Sequence, residues 1–275
     1  MKIIAIMISM LLGTVLGTVQ ANPDHQRALA LLETQSEHEQ IKPLFKQAAA
    51  AGHAPAMAYL GWWYETGYNQ TEPDIEQAVR WYAKAASHGA HTYAVKLGWL
   101  YLQDDALPRD RAQAAYWFNY GQQQGYLPAY VAWGSVLVAD ALGGDGAAAT
   151  QAVKTLTPAF VQGDAHAAYF LARLYREGIG EINPNPDKSF AYLLFGAMHN
   201  QPQMQSWLAK AYLTGEGVPK NPQTAAAWAL LAVENNDPLA NDLIEQIDAR
   251  FTDQQWVDAW LEASEYKQYI NAVST

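Results

Sequence analysis

The sequence contains no cysteine, so neither disulfides nor thiolate metal sites hold it together, even in an oxidising compartment. Cations are scarce as well: 17 Lys and Arg face 27 Asp and Glu, a formal charge of −10. That balance speaks against a general affinity for nucleic acid or for anionic lipid surfaces. Catalytic motifs are missing. There is no Gly-x-Ser-x-Gly elbow, no phosphate-cradling glycine loop between a strand and a helix, and no His-Glu-x-x-His. The carboxylate pairs Asp104-Asp105 and Asp74 with Glu76 sit where a loop or a cap needs them, and no cofactor is expected. His53, His88, His91 and His166 cluster at unit boundaries. Two histidines across a glycine turn with no third ligand make a poor metal site, so exposed turns are expected there.

Long apolar runs are absent beyond the first residues. Met1-Lys2 opens the chain, Ile3 to Val19 is almost wholly apolar, and Val19-Gln20-Ala21 carries small residues where a signal peptidase reads them. A signal peptide over residues 1–21, cut between Ala21 and Asn22, is expected; the run is slightly short for a retained anchor. The exported chain is then periplasmic or secreted, with no stable membrane insertion after cleavage, and Asn69-Gln-Thr71 has no meaning as a sequon outside a eukaryote.

What is present is a repeat. Gly52, Gly89, Gly125 and Gly163 recur at spacings of 37, 36 and 38, and Asn200 and Asn236 continue at 37 and 36. Glycine and asparagine tolerate the left-handed conformation that closes a helix, so one mechanism explains all six. In phase run Tyr64, Tyr101, Leu137, Tyr175 and Tyr212, each three residues after a small residue: Gly61, Gly98, Gly134, Ala172, Ala209. Leu60, Leu97, Trp133, Leu171 and Leu208 precede those small residues, and together they mark a first helix, A. A second helix, B, begins where Asp74, Asp110, Asp187 and Asn221 precede Ala78, Ala114, Ala191 and Ala225 by four, as N-caps do. Trp81, Trp117, Leu194 and Trp228 follow three residues later and are expected in the core. The third unit takes its cap from the Gly143–Gly146 loop, and helix B of the fourth runs about two residues short before Asn200.

The predicted organisation is a degenerate helix pair over residues 22–53, five repeats over 54–236, and capping helices over 237–275. In the last helix Trp256, Trp260, Ala263 and Ile270 follow the spacing of one apolar face.

Three stretches resemble the Sel1-like repeat family, a relative of the tetratricopeptide repeats. They are Ala58-Tyr-Leu-Gly-Trp-Trp-Tyr-Glu-Thr-Gly67, Asp74-Ile-Glu-Gln-Ala-Val-Arg-Trp-Tyr-Ala-Lys-Ala-Ala86 and Ala211-Tyr-Leu-Thr-Gly-Glu-Gly-Val-Pro219. The resemblance implies an all-α, right-handed solenoid that scaffolds protein complexes, often in the bacterial envelope. The unit around Gly134 to Ala152 departs from the pattern, and the cysteine pairs of one secreted branch are missing. In related solenoids helix A lines a concave groove. Its freely varying positions give two candidate patches, Tyr59, Trp62, Lys96 and Trp99, then Phe170, Arg173, Trp207 and Lys210. Aromatic plus basic suits a binding hot spot for a protein partner with acidic segments. The same stripe could instead pack against helix B. The expected function is thus a non-catalytic interaction scaffold or adaptor. The alternative is a cell-wall or exopolysaccharide binder using the groove aromatics.

Overall fold

The structure, a computed structural model, describes residues 22–34, 38–69, 72–103 and 107–273. The expected signal segment, Asp104-Asp105 and most of the sequon lie outside them. Among the described residues there are fourteen helices and no strand, and no helix is long and apolar enough to cross a membrane. In chain order they are α1 (Pro23–Thr34), α2 (His38–Ala50), α3 (Ala54–Thr66), α4 (Ile75–Ser87), α5 (Thr92–Gln103), α6 (Arg111–Gln123) and α7 (Leu127–Leu142). They continue as α8 (Gly146–Val161), α9 (Ala165–Glu177), α10 (Pro186–Met198), α11 (Pro202–Thr214), α12 (Pro222–Glu234), α13 (Pro238–Asp248) and α14 (Asp253–Val273).

The punctuation is chemical. All six turn residues adopt positive φ: 85° at Gly52, 97° at Gly89, 71° at Gly125, 91° at Gly163, 56° at Asn200 and 60° at Asn236. Each starts a new pair. Asp74, Asp110 and Asn221 cap helices B as expected, their side-chain oxygens accepting first-turn amides, and Asp145 supplies the cap in the glycine loop. Such caps contribute about 1 kcal/mol each. The loop inside the unit is tied by one recurring bond. The cap residue's own N–H donates to the carbonyl of the repeated tyrosine: Asp74 to Tyr64 at 2.7 Å, Asp110 to Tyr101 at 2.9 Å, Asn185 to Tyr175 at 2.7 Å and Asn221 to Tyr212 at 2.9 Å.

That series corrects the fourth unit. Asn185, not Asp187, is the cap, accepting from the Lys188 amide, and Pro186 follows at the first helical position, where its missing N–H costs nothing. The register therefore moves by two. Ser189 takes the place assigned to Ala191, buried and donating its hydroxyl to the Ala172 carbonyl. Tyr192, not Leu194, is the equivalent of Trp81, and Leu194 is exposed. Helix α10 has the same 13 residues as α4, α6 and α12, so the expected shortening disappears.

The chain forms two compact units, residues 1–132 and 133–275, the division falling within α7. In the first, each of α1 to α5 packs on its successor. Its cores hold Phe45, Leu60 and Trp63 near the start, then Tyr82 and Leu97. A Cβ on Gly61 would sit 2.5 Å from the Tyr82 ring, and one on Gly98 would sit 2.5 Å from that of Phe118. The missing side chain on helix A is thus the socket for the large one on helix B. In the second unit α8 to α13 stack in the same serial manner, and α14 returns to cover α12. Trp228, Leu208, Leu243, Ala263 and Ile270 share its core. The expected apolar face of α14 needs one correction: Trp256, Ala259, Ala263 and Ile270 turn inward, whereas Trp260 is 61% exposed.

Candidate interaction surface

In the first unit, α3 and α5 are the A helices of successive repeats, and their matching positions carry Tyr59, Trp62, Lys96 and Trp99. Tyr59 is only 5% exposed, stacked on Phe45 with ring centres 4.8 Å apart. Burial, then Glu33, pushes its phenol up to about 12. It is core, and it leaves the proposed patch.

The other three stay partly open. Trp62 is half-buried and leans on Tyr68 at 5.1 Å, and Trp99 is half-buried with its edge on Phe118 at 5.4 Å. Lys96, one turn before Trp99 on α5, is joined to Glu65 at 2.8 Å with its ammonium 4.9 Å from the Tyr82 ring. Glu65 also accepts the Tyr82 hydroxyl at 2.5 Å, and burial together with Glu65 keeps that phenol protonated far above its usual range. The lysine of this patch is therefore already neutralised. It presents its aliphatic stem more than a free charge.

In the second unit the equivalent positions on α9 and α11 diverge. Trp207 is 8% exposed, stacked on Tyr169 at 5.3 Å and covered by the Arg176 guanidinium at 3.6 Å from its ring. Its indole is closed off by a neighbouring cation, so it too leaves the patch. Phe170 is half-buried with its edge on Tyr169, Arg173 is held by Glu177 at 3.2 Å, and Lys210 is exposed. A small cleft of about 40 Å³ lies between Trp207, Lys210, Phe190 and Arg176.

The recurrent helix-B indoles are uneven. Trp228 is 1% exposed, but Trp81 and Trp117 are only half-buried, and the fully buried side chains beside them are Tyr82 and Phe118. The histidines also divide. His88 and His166 are exposed as expected, whereas His53 and His91 are half-buried, each with a buried Nδ1 lacking a hydrogen-bond partner. His53 instead meets His25, ring centres 4.4 Å apart, and burial plus the His53 charge lowers His25 from 6.5 to about 4. No group of three metal-ligating side chains occurs among the described residues.

The Sel1 repeat family model matches residues 54–89, 93–126, 165–200 and 202–237. The chain belongs to the Sel1 repeat family. Sel1 repeat proteins generally mediate protein–protein interaction, and the family is typically a non-catalytic scaffold. The pair α7–α8, which the family model leaves out, has two 16-residue helices instead of the shorter ones of its neighbours. A protective antigen present in uropathogenic Escherichia coli strains, displaying an SLR fold, superposes with a TM-score of 0.69 at 22% identity over 91% of this chain and 54% of its own. A Sel1 repeat protein from Oxalobacter formigenes does so with a TM-score of 0.61 at 19% identity over 91% and 97%. The likeness is one of fold, and the chain spans about half the length of the antigen. No curated protein matches the sequence.

One feature of the last Sel1 repeats went unread in the sequence. Gln205, fully buried, donates to the Ala197 carbonyl and to Asn200 Oδ1, and Asn235 Nδ2 donates to Asn200 and Gln205 at 2.9 and 3.0 Å. Beside it the buried Ser206 hydroxyl donates to Asp237 at 2.6 Å. These bonds lock the Asn200 and Asn236 turns together. The turn asparagines were visible as conformational residues, but nothing in their spacing showed that side chains would join adjacent turns.

Proposed function

We propose that this Sel1 repeat protein is an exported, non-catalytic adaptor of the bacterial cell envelope that holds a protein partner in a groove lined by its A helices. The observation that carries this reading is the Trp62–Lys96–Trp99 stripe. Two half-open indoles stand at the same register of successive repeats, with a lysine one turn before the second. Half-open tryptophan at a regular spacing suits an interface hot spot, and repeats share only the packing positions, leaving such varying positions free for recognition. Because Glu65 neutralises Lys96, recognition rests on apolar contact more than on a strongly acidic partner segment. In the second unit Phe170, Arg173 and Lys210 remain a secondary contact. The apolar run and the Ala21-Asn22 junction are what support export.

The test is affinity capture from an envelope fraction with the wild-type chain and with the Trp62→Ala, Trp99→Ala double variant. Loss of a specific captured protein in the double variant, at unchanged helical content, supports the reading. Equal capture by both chains refutes it. Mass measurement of the exported chain checks cleavage after Ala21, and an intact Met1 would favour the anchored alternative.

A further inference from the structure

The C-terminal helix presents a second, chemically different surface. Helix α14 buries Ala259, Ala263 and Ile270 against the second unit, and Trp256 caps that side by donating its indole N–H to Asp248 at 2.9 Å. On the opposite side Val257, Trp260 and Leu261 are 51%, 61% and 52% exposed. The spacing i, i+3, i+4 sets them side by side as one ridge. Trp260 is the most exposed of the three, so most of its indole takes no part in the core.

The surroundings of this ridge are acidic. From residue 238 to the end the sequence has seven acids, Asp242, Glu245, Asp248, Asp253, Asp258, Glu262 and Glu265, against Arg250 and Lys267 alone. Lys267 is held by Glu234 at 2.7 Å. Glu262 is occupied by the Thr224 and Tyr266 hydroxyls, but Asp253, Asp258 and Glu265 flank the ridge and are open to solvent.

We infer that the Val257–Trp260–Leu261 ridge docks a cationic amphipathic helix of a partner protein. The apolar face of that helix covers the indole, and its Lys or Arg residues answer Asp253, Asp258 and Glu265. The charge decides among occupants. A second copy would bring the same acidic flank against itself, and an anionic lipid surface would be repelled by it. This surface is separate from the helix-A stripe and does not depend on it.

The experiment uses the exported full chain and a fluorescein-labelled amphipathic peptide of leucine and lysine, read by fluorescence anisotropy. Saturable binding is expected, with none for the matching leucine and glutamate peptide. Trp260→Ala with Leu261→Ala should weaken Kd by about tenfold or more, the loss typical of truncating an interface hot spot. Asp258→Asn with Glu265→Gln should weaken it by roughly two- to fivefold, as for exposed ion pairs. Both pairs replace exposed residues and should keep the helical spectrum; Leu261→Gln alone provides a milder variant with the same readout. Equal affinity of the Trp260 and Leu261 variants overturns the proposal. So does a reversible dimer in sedimentation that those substitutions abolish, which would make the occupant a second copy. Binding to phosphatidylglycerol vesicles abolished by the same substitutions would overturn it in favour of lipid.

Discussion

The first two Sel1 repeats and the last one solve the same packing problem in opposite ways. In α4 and α6 the fully buried side chains are Tyr82 and Phe118, eight residues beyond their caps, and the indoles just before them, Trp81 and Trp117, stay half-open. In α12 the same register gives a fully buried Trp228 followed by Ala229. The partner helix explains the swap. Gly61 and Gly98 leave a socket for a ring, whereas Ala209 and Ala229 hold the corresponding positions of α11 and α12, both buried in one core. Trp228 is then buried because Tyr266 of α14 stacks on it at 4.6 Å. A repeat position therefore fixes direction, while burial is set by the small residue opposite and by what covers the outer side.

The strongest break of this comparison is truncation of the buried aromatic in each case. Phe118→Ala and Trp228→Ala should each destabilise by about 3–5 kcal/mol in denaturant unfolding, the usual cost of emptying a large aromatic site. Because repeats couple mainly to neighbours, the transition should broaden as well as shift. If Trp81→Ala costs as much as Trp228→Ala, the distinction between the two arrangements fails; roughly 1 kcal/mol is expected for that half-open indole.

Filling the socket is the next largest effect. Gly98→Ala should cost about 1–3 kcal/mol through its clash with Phe118, despite the better helix propensity of alanine. Combined with Phe118→Leu, its penalty should shrink, and strict additivity of the two changes would contradict the socket.

The corrected cap of the fourth repeat gives a smaller contrast. Asn185→Ala should lower stability by about 1 kcal/mol, whereas Asp187→Ala should stay within about 0.5 kcal/mol. Equal losses would restore the register read from the sequence. The last effect is local and depends on pH. His25 is held neutral, with its folded value near 4 below the ordinary 6.5. The unfolded chain therefore binds the proton more readily. Docking of α1 is complete above about pH 6.5 and weakens as pH falls toward 4. Hydrogen exchange of α1 amides should show protection lost over that window, and His25→Gln should flatten the dependence.

The helix pairs and turns were legible because they rest on local backbone chemistry. Gly52 to Asn236 must reach positive φ wherever the next pair lies, and Asp74, Asp110 and Asn221 cap whatever helix follows them. The misread cap came from matching Asp187 to an alanine. What that position requires is only a small residue, and Ser189 meets the requirement by bonding to Ala172. The signal for the right register was present in Asn185-Pro186, the same pair as Asn221-Pro222. The site was less legible, since exposure of a helix-A residue depends on non-local neighbours. Tyr59 and Trp62 share a helix, yet Phe45 covers one and leaves the other half-open. Arg176 closes Trp207 from one turn of α9, a contact that no spacing within α11 reveals.

The central claim is that partner contact is made at Trp62 and Trp99. Its most direct test is site-specific photo-crosslinking in cells producing the full chain, with a benzophenone amino acid placed at Trp62, at Trp99 and, as a control, at the exposed Tyr116 of α6. A discrete protein adduct at Trp62 and Trp99 and none at Tyr116 is the predicted result. Equal adducts at all three, or none at Trp62 and Trp99 while the protein is folded, would contradict the account.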